Sequence, residues 1–157
     1  MPVRISIANA EEISMAPIQQ LRNKHIAALV ADGFEQIELT GPLEALDEQG
    51  ACVDIVSLHA GKVKAWQHDH WGDQFDVKKT ADQLQAGDYD AVLLPGGVMN
   101  PDKLRRDQHV IHFIRAMFEQ GKPIAAICHG PWILAEADII RGTRLTRENA
   151  GPPAPVP

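Results

Sequence analysis

Apolar runs of four to seven residues recur along this chain, each closed by glycine or proline and followed by a stretch with helical spacing. Residues 25–31 (HIAALVA) form the first run, and Asp32-Gly33 ends it. Residues 34–49 carry apolar positions at helical spacing, and Gly50 closes that helix in the left-handed manner common at helix ends. Residues 52–58 (CVDIVSL) form a second strand. Strand, helix and strand in this order make a βαβ unit and imply a parallel sheet. Residues 61–66 and 74–78 read as a short hairpin, with Gly72-Asp73 as its turn. Residues 80–86 predict a short helix capped by Thr80. A third strand over 90–94 stops at Pro95-Gly96-Gly97, and residues 101–119 predict one helix with Val110, Ile111, Ile114, Met117 and Phe118 on its apolar face.

The stretch 123–132 (PIAAICHGPW) organises the rest. Ile124 to Ile127 are all apolar, as in a parallel strand covered on both faces. Gly130 permits a tight turn, and Pro131 suits the first turn of a helix over 131–138. Cys128 is thereby placed at a strand-to-helix elbow, near the positive end of a helix dipole, where a thiol pKa is expected to fall. The competing reading is a small buried core cysteine. The carboxyl ends of three strands bring together 32–38, Gly96-Gly97 and Cys128, the place where open α/β sheets carry their sites.

Composition narrows the class. The chain has 157 residues, 45% hydrophobic and 23% charged, as in one soluble globular domain. A net charge of -6 without a basic cluster argues against nucleic acid as a partner. Two separated cysteines, Cys52 and Cys128, make neither a disulfide framework nor a zinc site, and fit a reducing, cytoplasmic setting. No apolar run is long enough to span a membrane, and the first 23 residues lack a secretory pattern. Residues 1–23 read as a flexible extension, with Met15 as an alternative start, and residues 24–146 as the folded domain. Residues 143–146 predict a further strand, and 147–157 a proline-rich tail.

The segments 32–38 (DGFEQIE), 71–73 (WGD), 94–97 (LPGG), 100–104 (NPDKL) and 126–131 (AICHGP) together resemble the ThiJ/PfpI family, of the glutamine-amidotransferase-like α/β superfamily. The resemblance is nearest to its intracellular-protease and general-stress-protein group. It implies a flavodoxin-like three-layer α/β/α sandwich with a mostly parallel central sheet. Because relatives continue past residue 146, it also implies a chain without the family's last strands and helix, and Asn149-Ala150-Gly151 resembles a displaced part of that segment.

The resemblance further implies roles. Cys128 matches the nucleophile, Glu38 the acid that hydrogen-bonds the thiolate, and His129 the adjacent histidine. Asp102 matches an acid that reaches a neighbouring subunit in hexameric relatives. Gly97 and His129 would supply oxyanion N–H groups, with Gly96 and Gly130 beside them. Glu35 stands as either a second acid or a partner of the helix dipole. His68 and His70 with Asp69 and Asp73, and likewise His109 and His112, are read as surface groups; no metal and no cofactor is expected. Cys52 is expected in the core, and Trp66 and Trp71 as edge packing. The implied function is a cysteine hydrolase acting on peptides or on dicarbonyl adducts of proteins, assembled as a homodimer or hexamer. The alternatives are a redox-sensing or chaperone-like stress protein, and an inactive shortened relative.

Overall fold

The computed structural model describes residues 19–142. The expected strand over 143–146, the tail, the scrap at 149–151 and Met15 lie outside the described residues.

Five strands form one parallel sheet. They are β1 (His25–Leu29), β3 (Cys52–Ser57), β6 (Lys79–Thr80), β7 (Ala91–Leu94) and β8 (Ile124–Ala126), in the order β6-β3-β1-β7-β8. In register, Ala28 pairs with Ile55 on one side and Leu93 on the other, and Leu94 pairs with Ala126. The remaining strands, β2 (Phe34–Glu35), β4 (Lys62–Gln67) and β5 (His70–Asp76), make a small second sheet in the order β2-β4-β5.

Alternation along β1 divides the core into two layers. Ala27, Leu29 and Ala31 face one side, with Val56, Val92 and Leu94, and pack on helices α2 (Met99–Leu104), α3 (Gln108–Glu119) and α4 (Pro131–Glu136). Ile26, Ala28 and Val30 face the other, against Leu39 of α1 (Gln36–Glu48), Phe34, and Val63 and Ala65 of β4. Strands buried on both faces need continuous apolar runs, as 26–31 supplies. This is the three-layer, flavodoxin-like α/β architecture the resemblance implied.

Several expectations are corrected. The hairpin turns at residues 68–69, where His68 takes the left-handed conformation (φ 57°), and Gly72-Asp73 lies inside β5. Gly72 is there to admit Gln36, whose side chain accepts from the Asp73 N–H (2.8 Å) and donates to its carboxylate (2.8 Å). The predicted helix over 101–119 is two helices, because the Asp107 carboxylate caps α3 by accepting from the His109 and Val110 N–H groups. Residues 80–86 form only a 3-10 turn at Ala81–Gln83, with a second at Ala86–Asp88. Strand β8 is half-exposed rather than covered on both faces; among the described residues it is the sheet's edge. Cys52 is exposed rather than buried, because it opens β3 at the end of the sheet opposite Cys128. Trp66 and Trp71 do pack together, edge to face across the hairpin at 5.3 Å.

Candidate active site

The elbow forms where β8 meets α4. Strand pairing ends at Ala126, α4 begins at Pro131, and the chain reverses between them by putting Cys128 at φ 54°. A non-glycine residue in this region is strained, and such strain collects at functional sites. The turn is closed by Gly130 N–H donating to Ile127 O (2.8 Å) and Trp132 N–H to His129 O (3.0 Å). Gly130 cannot be larger: a Cβ would stand 2.5 Å from Leu94 O.

Around the sulfur, Cys128 Sγ lies 3.1 Å from His129 Nδ1, and the Glu38 carboxyl converges on Cys128 beside Gly96. The backbone N–H groups of Gly97 and His129 favour the thiolate. Glu38, from the first turn of α1, also accepts the Gly96 N–H at 2.6 Å. Gly96 must be glycine, since a Cβ there would lie 2.6 Å from Glu38 Oε2 and 2.7 Å from Cys128 Cβ. Gly97 takes φ +77°, and a Cβ would press on Gly33 O and Glu35 N. The strand end after β7 is therefore built so that its backbone meets a thiol and a carboxyl together.

The electrostatics differ from the expectation that the dipole lowers the thiol. Cys128 is exposed as a residue, but burial of the part of its thiol packed into the elbow pushes it up and the Glu38 charge pushes it further; only the Gly97 and His129 N–H groups pull it down. α4 is just six residues long, so its dipole is weak compensation. Burial also pushes the Glu38 carboxyl up, against the pull of the Gly96 N–H and the sulfur, and neighbouring Glu35 adds to the rise. Glu38 disfavours the thiolate while the sulfur favours the ionised carboxyl, so the two groups titrate as a coupled pair. Between its two steps such a pair holds one proton.

Other candidates fall elsewhere. Glu35 is the last residue of β2, just before α1; its carboxylate accepts the His68 N–H (3.3 Å) and sits 3.8 Å from His68 Nδ1. It reaches the pair through its charge on Glu38. The Asp102 carboxylate binds Arg105 (2.7 Å) and Arg106 (3.0 Å), which hold it below the usual carboxylate range. Arg105 in turn lies over Trp132, whose ring stands edge-on to His129 at 4.9 Å, so Asp102 connects to the elbow only through a stack of side chains. Of the four expected backbone donors, Gly97 and His129 favour the thiolate, Gly96 is taken by Glu38, and Gly130 by Ile127. Among the described residues no cluster of three or more His, Cys, Asp or Glu is arranged to hold a metal, and no helix is long and apolar enough to cross a membrane. Sequence reasoning gave no role to Gln36, whose clamp on Asp73 fixes the start of α1, or to Asn100. A buried side-chain amide carries no sequence mark that separates it from an exposed one.

The DJ-1/PfpI family model matches residues 24–150. YraA of Bacillus subtilis, whose name proposes a cysteine protease, is 41% identical over 124 residues, covering 79% of this chain and 71% of its own. Protein/nucleic acid deglycase 2 of Escherichia coli is 40% identical over 125 residues, covering 79% and 70%. That relative's name includes nucleic acid, so the exclusion drawn from net charge is not borne out: overall charge does not decide what a site admits. A two-domain Anabaena variabilis protein with a DJ-1/ThiJ/PfpI-like domain superposes with a TM-score of 0.68 at 33% identity, over 74% of this chain and 32% of that one. Toxoplasma gondii DJ-1, in an oxidised form, does so with a TM-score of 0.68 at 25% identity, over 76% and 64%. The chain thus spans less than two thirds of these two solved chains. With the parallel sheet, the left-handed cysteine elbow and the glycine-lined strand end beside it, these matches place the chain in the DJ-1/PfpI family.

Proposed function

We propose that this protein is a cysteine-dependent hydrolase with Cys128 as nucleophile. One observation carries the reading: Cys128, on a strained elbow at φ 54°, stands where the Glu38 carboxyl and the glycine-lined strand end after β7 converge. In the reactive form Glu38 keeps the shared proton and the sulfur carries the charge. The thiolate attacks a carbonyl carbon, forming a C–S bond as the carbonyl electrons move to oxygen. The Gly97 and His129 N–H groups stabilise that developing charge. For a peptide bond, collapse of the intermediate expels the amine, which takes its proton from Glu38 or His129, and water then cleaves the thioester. A dicarbonyl adduct first releases its amine or thiol as the carbinol O–H becomes an aldehyde C=O, and the thiolate adds there. A proton shift from that carbon to the neighbouring ketone carbon gives the hydroxyacyl thioester, and water cleaves it. Asp102 serves through Arg105 and Trp132 rather than at the sulfur.

The substrates are dicarbonyl adducts on amines and thiols, with peptide bonds as the second class. Relatives named as deglycases favour the first, and YraA the second. The setting is cytoplasmic stress response, in line with General stress protein 18 of Bacillus subtilis at 35% identity, and the working form is a homo-oligomer. Neither a metal nor a cofactor takes part. The test is release of free amine from methylglyoxal-treated peptides, alongside cleavage of unmodified peptides. Turnover abolished by Cys128→Ala supports the reading. Stoichiometric oxidation of Cys128 by peroxide to the sulfenic or sulfinic acid, without turnover, supports the redox reading that its exposed position favours.

A further inference from the structure

One residue of the nucleophile site's supporting wall bonds to both strand ends that carry it. Asn100 lies in the first turn of α2 and is fully buried (0% exposed). Its Oδ1 accepts the Ala31 N–H at 2.7 Å, at the end of the β1 run. Its Nδ2 donates to Pro95 O (2.8 Å) and to Gly96 O (3.1 Å), the two carbonyls just before Gly97. Ala31, Pro95 and Gly96 are all buried, with Gly96 O also accepting the Glu35 N–H at 3.5 Å, and a buried polar group without a partner is costly. The peptide between Gly96 and Gly97 is the one whose N–H favours the Cys128 thiolate, and the peptide before it sends its N–H to Glu38. A peptide plane held at its oxygen cannot rotate its N–H away.

We infer that Asn100 is a positioning residue for the candidate reaction: by gripping Pro95 O and Gly96 O from the end of β1, it holds the Gly96 N–H on Glu38 and fixes the Gly96–Gly97 peptide beside the nucleophile's elbow. It touches neither substrate nor sulfur and acts through those peptides. The inference rests on Cys128 being the nucleophile. A buried amide is the side chain suited to this place, since it accepts from one strand end and donates twice to the other. Leucine of similar size supplies none of these bonds, and aspartate sets a carboxylate against two carbonyl oxygens.

The test is the pH dependence of Cys128 alkylation by iodoacetamide, read by peptide mass, in the full chain and in Asn100→Leu and Asn100→Asp. Met117→Ala, in the core of α3, is the control for general destabilisation. The charged groups facing the sulfur in these variants remain Glu38 from α1, with Glu35 behind it, and His129 beside it. Freeing the Gly96–Gly97 peptide withdraws the Gly97 N–H that favours the thiolate, so the alkylation midpoint moves up by about one unit and the rate at neutral pH falls about tenfold. Met117→Ala lowers the melting temperature and leaves the midpoint in place. A wild-type profile in Asn100→Leu overturns the inference, while an unactivated Cys128 in the unsubstituted protein overturns the hydrolase reading beneath it. Should neither Asn100 variant fold, amide exchange in the unsubstituted protein decides. Protection of Gly96 and Gly97 equal to that of Val92 to Leu94 upholds the clamp, and exchange at open-loop rates overturns it.

Discussion

Replacing Gly96 by alanine adds one methyl group at the most crowded point of the site. Its Cβ would stand 2.6 Å from Glu38 Oε2, 2.7 Å from Cys128 Cβ and 2.7 Å from Ile127 O. Two of these neighbours are held by backbone, so the strand end after β7 and the elbow must separate. Gly96 is not at positive φ, so the cost is crowding rather than conformational strain. Inserting a methyl into such packing costs roughly 1–3 kcal/mol. Displacing Glu38 from the Gly96 N–H, a bond of 2.6 Å to a carboxyl, adds about 1.5 kcal/mol or more. A total near 3 kcal/mol lowers the melting temperature by about 6–12 °C for a chain of this size. The same displacement moves the carboxyl off the sulfur, so Cys128 alkylation changes while Cys52, at the far end of the sheet, does not. Calorimetry and peptide mass mapping on one preparation read both. A Gly96→Ala protein that melts within about 1 °C of the parent and alkylates with the parent's profile refutes the packing argument.

The remaining expectations concern the acids. The folded protein raises the Glu38 pKa above its ordinary value of 4.5. Glu38 therefore favours the fold at acid pH, and that contribution is lost as pH rises through its raised folded value. Relative to Glu38→Gln, the parent should lose stability from about pH 4.5 upward, as read by denaturant melts at a series of pH values; a constant difference counts against the assignment. Asp102 is held low by Arg105, so its contribution is present at neutral pH and lost on acidification. Asp102→Asn should change the melting temperature little, as for an exposed ion pair, and leave the Cys128 alkylation profile unchanged; a shifted profile would place Asp102 at the sulfur. Gln36→Ala should loosen the hairpin from α1 and raise amide exchange at Asp73 at least several-fold, since Asp73 N–H loses its acceptor.

The layers of this fold were legible because long-range order here follows a local signal. Continuous apolar runs such as 26–31 and 91–94 suit strands covered on both faces, and the glycines at 96, 97 and 130 mark close approaches. What escaped the sequence depends on a side chain meeting a distant partner. Gly72-Asp73 has turn chemistry, yet its glycine makes room for Gln36, 36 residues away in the chain. Asp107 breaks a helix that periodicity alone joins into one, because capping N–H groups of α3 outweighs continuing the spacing. Cys52 follows the strand pattern of a core residue but opens its strand at the sheet end. The position of Cys128 was readable from Cys-His-Gly-Pro; the upward direction of its pKa was not, because burial and the Glu38 charge come from the assembled site.

The central claim is that Cys128 and Glu38 share a proton. The direct measurement is the Cys128 alkylation rate from about pH 4 to pH 11, in the parent and in Glu38→Gln, with exposed Cys52 as internal control. The account expects two steps in the parent. The first lies above the ordinary carboxyl value of 4.5 as the pair loses one proton, and the second above the ordinary thiol value of 9.0 as it loses the other. Glu38→Gln should show a single step. A parent profile with one step, unchanged by Glu38→Gln, would contradict the shared proton and the mechanism built on it.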